Sequence, residues 1–202
     1  GSRGTVEEAG LFRAVLSSWG GRVRNFELIA PQYHVGDEQR SLLDIVNVKL
    51  GRAEPPPKQE IHPIDLVTVK DEAYWPLGLT LPGSGLELTG QEPYELIVQE
   101  PQRVVFRYKD PAGRATIDKE YRFKPGSYLF ELDVRVTNTG SGAMPHVVTL
   151  NSDGWQDPSK ASGGMFMPAL NVRSAACYVR DEVVRKTADE LTRRWETESG
   201  AV

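Results

Sequence analysis

The stretch 114–138 constrains the fold most tightly. From Ala115 onward, apolar residues hold odd positions: Ala115, Ile117, Tyr121 and Phe123. Thr116, Asp118, Glu120, Arg122 and Lys124 hold the even ones, and Lys119 is the one break in the alternation. Lys124-Pro125-Gly126-Ser127 then supplies a turn: Pro presets φ, and Gly tolerates positive φ. Beyond the turn the apolar set returns on even positions, as Tyr128, Phe130, Leu132, Val134 and Val136, with Glu131, Asp133, Arg135 and Thr137 between them. A period of two puts alternate side chains on opposite faces of a strand. The spacing therefore predicts a long hairpin with one dry face and one wet face. Full burial of each large apolar side chain is worth ~1.5–3 kcal/mol. A two-stranded ribbon cannot bury a face by itself, so the rest of the chain must supply a covering layer.

The remaining sequence reads as short strands separated by turns. Residues 11–17 and 22–29 form strands around Ser18-Trp19-Gly20-Gly21, whose paired glycines permit a tight reversal. Further strands are expected at 42–50, 64–69, 86–89, 95–99, 103–109, 146–150 and 172–180. Asp110-Pro111-Ala112-Gly113 joins 103–109 to the long hairpin as a three-strand meander. Pro55-Pro56-Pro57 is extended and cannot lie inside a sheet. Val184, Ala188, Leu191 and Trp195 are spaced 4, 3 and 4, which predicts a short C-terminal helix near 187–194. The fold class that follows is all-β, an antiparallel sandwich.

Charge and composition exclude several function classes. Lys plus Arg number 24 and Asp plus Glu 28, a net charge of −4 in 202 residues. Nucleic-acid binding needs a basic stripe, and a polybasic membrane patch is likewise absent from the sequence. No apolar run approaches the ~18–20 residues of a membrane-spanning helix. Cys177 is the only cysteine, so no internal disulfide forms and its default reading is an inert, buried thiol. Gly1-Ser2 reads as the scar of a cleaved tag, residues 1–10 as that remnant with a linker, and 11–202 as a single sandwich domain.

The ordered landmarks resemble one family. The run 11–23, a strand, a Ser-x-x-Gly-Gly turn and a second strand, is similar to the opening of the periplasmic domain of the bacterial YidC membrane-protein insertases. Pro63-Ile64-Asp65-Leu66-Val67 and Trp75-Pro76-Leu77 look like its next landmarks, and 119–138 is the closest match. The resemblance implies a β-supersandwich similar to galactose mutarotases. It implies a place on the periplasmic side of a Gram-negative inner membrane, tethered between the first two transmembrane helices of the insertase. It also implies a non-catalytic role with no cofactor, in docking or substrate handling. The implied partners are SecD/SecF, the SecYEG translocon and nascent membrane proteins. The family's domain continues with further strands after a Trp-containing segment; this chain ends at Val202, so the expectation is a domain short of those last strands.

A mutarotase-like enzyme, an aldose epimerase, needs an acid and a base near a sugar, and only His34, His62 and His146 are available. All three fall in expected loops or at a strand start and read as surface or structural histidines. Asn151-Ser152-Asp153-Gly154-Trp155-Gln156-Asp157 clusters oxygens that Ca²⁺ favours, but the EF-hand spacing is absent and the residues suit a plain turn. Trp19, Trp75 and Trp155 fall in loops or turns, where aromatics line grooves for peptides or glycans, or plug the ends of a sandwich. Met144, Met165 and Met167 flank Trp155 and suit an adaptable surface or loop packing. The binding candidates are accordingly Trp75, Trp155, Met165 and Met167, with no catalytic or metal-ligating residue. P-loop, Gly-rich dinucleotide, zinc-type Cys/His and serine-elbow motifs are missing from the sequence.

Overall fold

A computed structural model describes residues 3–8, 10–36, 47, 49–51, 61–153, 174–179 and 181–187. The chain divides into two compact units, Gly1–Gly154 and Trp155–Val202. The first holds two antiparallel sheets. Sheet one runs β1 (Arg3–Glu8), β2 (Phe12–Ser17), β3 (Arg22–Leu28), β5 (Ile61–Asp65) and β4 (His34–Gly36), in that spatial order. Between β5 and sheet two, β6 (Gly78–Thr80) leads on in the chain. Sheet two has the order β10 (Phe130–Asn138), β9 (Ala115–Phe123), β8 (Arg103–Lys109), β7 (Glu95–Glu100). A small ladder pairs β11 (Thr149–Asn151) with β6.

The long hairpin is strands β9 and β10, in the register Phe130↔Phe123 through Asn138↔Ala115. On β9, Ala115, Ile117, Tyr121 and Phe123 are buried, as the alternation requires. On β10, the end strand of sheet two among the described residues, Phe130, Leu132, Val134 and Val136 are half-buried and pack against that core. Sheet one supplies the covering layer through Val6, Phe12, Ala14, Leu16, Val23 and Phe26. Aromatic rings join the layers: Phe12 lies 5.7 Å from Phe123, and Phe26 lies 6.0 Å from Phe130. The first unit is thus an all-β sandwich.

Several local expectations are corrected. Residues 3–8, read as remnant and linker, form β1 and pair with β2 from Arg3↔Ser17 to Glu8↔Phe12. Only Gly4 and Val6 are buried there, so the apolar alternation was too thin to register. Gly4 is needed for close approach: a Cβ on it would sit 2.9 Å from a Val104 methyl. Within 42–50, read as a strand, Asn47 and Lys49 are helical and the other residues before Leu50 lie outside the described set. Leu43, Val46 and Leu50 recur at helical spacing, which the strand reading overlooked. Residues 86–89 are irregular rather than a strand. The Thr89 amide and hydroxyl both donate to the Glu92 carboxylate, at 2.5 and 2.8 Å, instead of to a ladder.

In β2–β3 a bulge between Val15 and Leu16 shifts the register. It lets Val23 and Phe26 both face inward, and leaves Arg24 and Asn25 half-buried between them. The second unit contains a hairpin of β12 (Ser174–Val179) and β13 (Glu182–Thr187), with Asp181 in the left-handed region at φ 65°. Val184 and Thr187 therefore stand in a strand, and the rest of the expected C-terminal helix lies outside the described residues.

Candidate functional site

Chemistry concentrates where the β2–β3 turn meets sheet two. Gly20 and Gly21 have φ of 69° and 54°. A Cβ on Gly20 would lie 2.1 Å from the Gly90 carbonyl, so only glycine fits. The turn is bonded to the segment before β7 by Gly20 N–H donating to Glu92 O and Tyr94 N–H donating to Ser18 O, each at 2.7 Å. Its next three carbonyls, of Trp19, Gly20 and Gly21, are taken by side chains. Arg22 Nε donates to Trp19 O at 3.1 Å. Lys119 Nζ, from β9, donates to Gly20 O at 2.9 Å and Tyr121 OH to Gly21 O at 2.6 Å. Lys119 also donates to Leu77 O at 2.5 Å. Leu77, at φ 70°, is held in that strained conformation by this bond and by its own N–H, which donates to Asn151 O at 2.6 Å.

Lys119 is wholly buried. It is the single break in the alternation, a cation on the dry face. Burial, reinforced by the nearby Arg22 charge and partly opposed by Glu92, depresses its pKa from 10.5 to about 7. The Tyr94 ring lies 5.8 Å from the amine. Burial also raises the phenol pKa values of Tyr94 and Tyr121 well above their ordinary range. Arg22 is 2% exposed and crosses to the next loop, where Nη1 donates to Ala73 O at 3.1 Å. That loop is a 3-10 turn, Glu72–Tyr74, capped by the Asp71 carboxylate accepting from Ala73 N–H at 2.9 Å. Trp75 follows it and packs under two guanidinium groups, Arg22 at 5.8 Å and Arg24 at 5.5 Å from the ring. Each contact is a cation–π interaction.

Above this scaffold lies a cavity of about 430 Å³ lined by Arg3, Ser17, Trp19, Arg24, Lys70, Glu72 and Trp75. The β1–β2 register brings Arg3 opposite Ser17. The bulge presents Arg24, the glycine turn presents Trp19, and the capped loop presents Glu72 and Trp75. Three cations thus face one carboxylate beside two indoles. Trp19 is 42% exposed.

Of the binding candidates from sequence, Trp75 is in this cavity, and Trp155, Met165 and Met167 lie outside the described residues. Met144 is half-buried against the core. His34, His62 and His146 are exposed, and none lines the cavity. His34 Nε2 lies 3.1 Å from Ile29 O, and His146 Nδ1 2.9 Å from Met144 O. In the oxygen-rich stretch, Asn151, Ser152 and Asp153 are exposed, and 154–157 lie outside the described residues. Cys177 pairs through its backbone with Val184. Sequence reasoning missed Arg3, Arg22, Arg24 and Lys70. Lys119 was the one available signal, a charge where the pattern demanded an apolar residue.

The family model for the YidC periplasmic domain matches residues 6–199. The chain belongs to the YidC periplasmic domain family. Among its relatives is the membrane protein insertase YidC of Syntrophus aciditrophicus (strain SB), 30% identical over 105 residues. That match covers 48% of this chain and 19% of the relative. Another is the membrane protein insertase YidC of Anaeromyxobacter sp. (strain Fw109-5), 24% identical over 179 residues, covering 88% of this chain and 30% of the relative. The chain therefore spans less than a third of the length of these curated YidC relatives. No solved structure gives a significant match. The all-β sandwich agrees with the fold class that the resemblance implied for a YidC periplasmic domain.

Proposed function

We propose that this YidC periplasmic domain is the non-catalytic, periplasm-facing module of an inner-membrane protein insertase in a Gram-negative bacterium. On this reading it handles emerging substrate segments or docks SecD/SecF and SecYEG during insertion and folding. The observation that carries the reading is the family match across residues 6–199. The relatives' names support it, since both are membrane protein insertases. Insertion itself belongs, on this reading, to the remainder of the longer protein. The domain contributes surface: β10, the end strand of sheet two among the described residues, and the basic, aromatic concavity over Trp75. Edge strands accept a partner strand through backbone hydrogen bonds.

Site-specific photo-crosslinking tests the proposal. A photoreactive residue replaces Glu131 on β10 or Trp19 at the concavity, in the full-length insertase carrying this domain. Adducts with Sec components or with an arrested nascent membrane protein are expected from at least one site. Absence of adducts from both, with membrane insertion unchanged when the domain is deleted, contradicts the reading.

A further inference from the structure

We propose that the concavity framed by Arg3, Trp19, Arg24, Lys70 and Trp75 binds an acidic peptide segment, its carboxylate held by the cations and an adjacent apolar side chain laid on the indoles. The inference stands on the pocket and not on the insertase reading.

Charge complementarity carries it first. Three basic side chains and one carboxylate line the cavity, a local net charge of +2 (three minus one), on a chain whose total is −4. The pocket's basic character is therefore local, set against the sign of the whole molecule. Among the described residues Arg3, Arg24 and Lys70 make no ion pair. Five surface arginines are matched instead: Arg13 pairs with Glu7 and Glu27, Arg103 with Glu120, Arg107 with Asp118, Arg114 with Asp110 and Arg122 with Asp133. Lys109, Lys124 and Arg135 also make no ion pair among the described residues but lie outside the cavity, whereas Arg3, Arg24 and Lys70 line one hollow together.

Preorganisation comes next. Arg24 rests on the Trp75 ring, 5.5 Å from its centroid, which limits its rotamer freedom before any ligand arrives. Trp75 is also held by buried Arg22, 5.8 Å from its ring centroid and itself anchored to Trp19 O and Ala73 O. Guanidinium groups bind carboxylates through short, charge-assisted hydrogen bonds, often in pairs. Trp19, 42% exposed, offers a free indole face for an apolar side chain. The volume of about 430 Å³ suits one or two side chains, and sites of ~300–1,000 Å³ are typical for small ligands. Arg3 opens β1, the end strand of sheet one among the described residues, so an extended peptide has a neighbouring strand to follow. A flat anionic membrane fits less well. Its headgroups would meet a walled cavity and a molecule of net negative charge.

Isothermal titration calorimetry on the intact chain tests the proposal, with an acetylated, amidated peptide of alternating Glu and Leu as ligand. The controls are the same peptide with Gln for Glu, and vesicles of phosphatidylglycerol or phosphatidylcholine. The Glu-Leu peptide should bind and the Gln-Leu peptide should bind at least severalfold more weakly. Arg24→Gln should weaken binding about tenfold, the value of one charge-assisted hydrogen bond. Glu72→Gln should tighten it, since a repelling carboxylate is removed. Arg13→Gln, on the same strand pair but outside the cavity, should leave it unchanged. Circular dichroism melts confirm that each variant is folded. Equal binding of Glu and Gln peptides, an unchanged Arg24→Gln, or binding to phosphatidylglycerol vesicles without binding to the peptide would each overturn the proposal.

Discussion

Lys119→Met should change the pH dependence of stability in a defined direction. Lys119 is wholly buried, and its pKa falls from 10.5 to about 7, chiefly through burial. Below pH 7 both folded and unfolded chains carry the proton. Between about pH 7 and 10.5 only the unfolded chain does, so the unfolded state binds more protons and stability rises with pH. Each pH unit inside that window is worth ~1.4 kcal/mol. Integrating the single titration, about 3 kcal/mol of stability is gained between pH 7 and 9.5. Methionine removes the titration but leaves the Gly20 and Leu77 carbonyls without their donor. Each lost partner costs ~1–3 kcal/mol, independent of pH. Relief of the buried charge offsets that cost near neutrality and not at pH 9.5. Urea unfolding of both proteins at half-unit pH steps reads the difference directly, because other titrating groups cancel in the subtraction. The native-minus-variant stability should climb by about 3 kcal/mol from pH 7 to 9.5. Parallel curves would refute the argument, since they mean that Lys119 titrates as an exposed amine.

Other perturbations separate neighbouring effects. Leu132→Asp puts a carboxylate on the half-buried core face of β10 and should cost ~2–4 kcal/mol, whereas Glu131→Lys on the exposed face should stay within about 0.5 kcal/mol; thermal melts distinguish them. Gly20→Ala and Gly113→Ala share a φ of 69°, but the first meets Gly90 O at 2.1 Å and the second meets nothing within 4 Å. Gly20→Ala should therefore destabilise several times more than the ~1 kcal/mol expected from φ strain alone, measured by urea unfolding. Asp118 accepts two hydrogen bonds from Arg107 at 2.7 Å, and the Arg107 hydrogen bond holds its pKa below the ordinary carboxylate value. Its contribution is present above the unfolded carboxylate pKa and lost as pH falls through the depressed folded one, so Asp118→Asn should flatten the acid limb of the stability–pH curve.

The fold was legible wherever side chains alternate in number. Strand β9 carries four buried apolar residues at period two, and both its extent and its inward face could be read directly. The β2–β3 turn was equally plain, because paired glycines between two apolar runs have few other uses. Strand β1 was hidden because one of its two inward positions is a glycine. The bulge in β2–β3 was hidden because register depends on pairing, which no single strand encodes. The cavity was the least legible part. Arg3, Arg24 and the 70–75 loop are far apart in the sequence, and they converge only after the bulge, the capped 3-10 turn and the β1–β2 register are set. Only Lys119 announced itself, since a charge on a dry face must find acceptors or destabilise the core.

The Lys119 amine of sheet two lies dry beneath the turn that builds the cavity. The most direct test is an NMR titration of the lysine side-chain carbons with Lys119 assigned by substitution. The prediction is one lysine with a midpoint near pH 7, in a protein whose Trp19 and Trp75 indole signals shift in the same pH range. A Lys119 midpoint close to 10.5, level with the surface lysines, would contradict it.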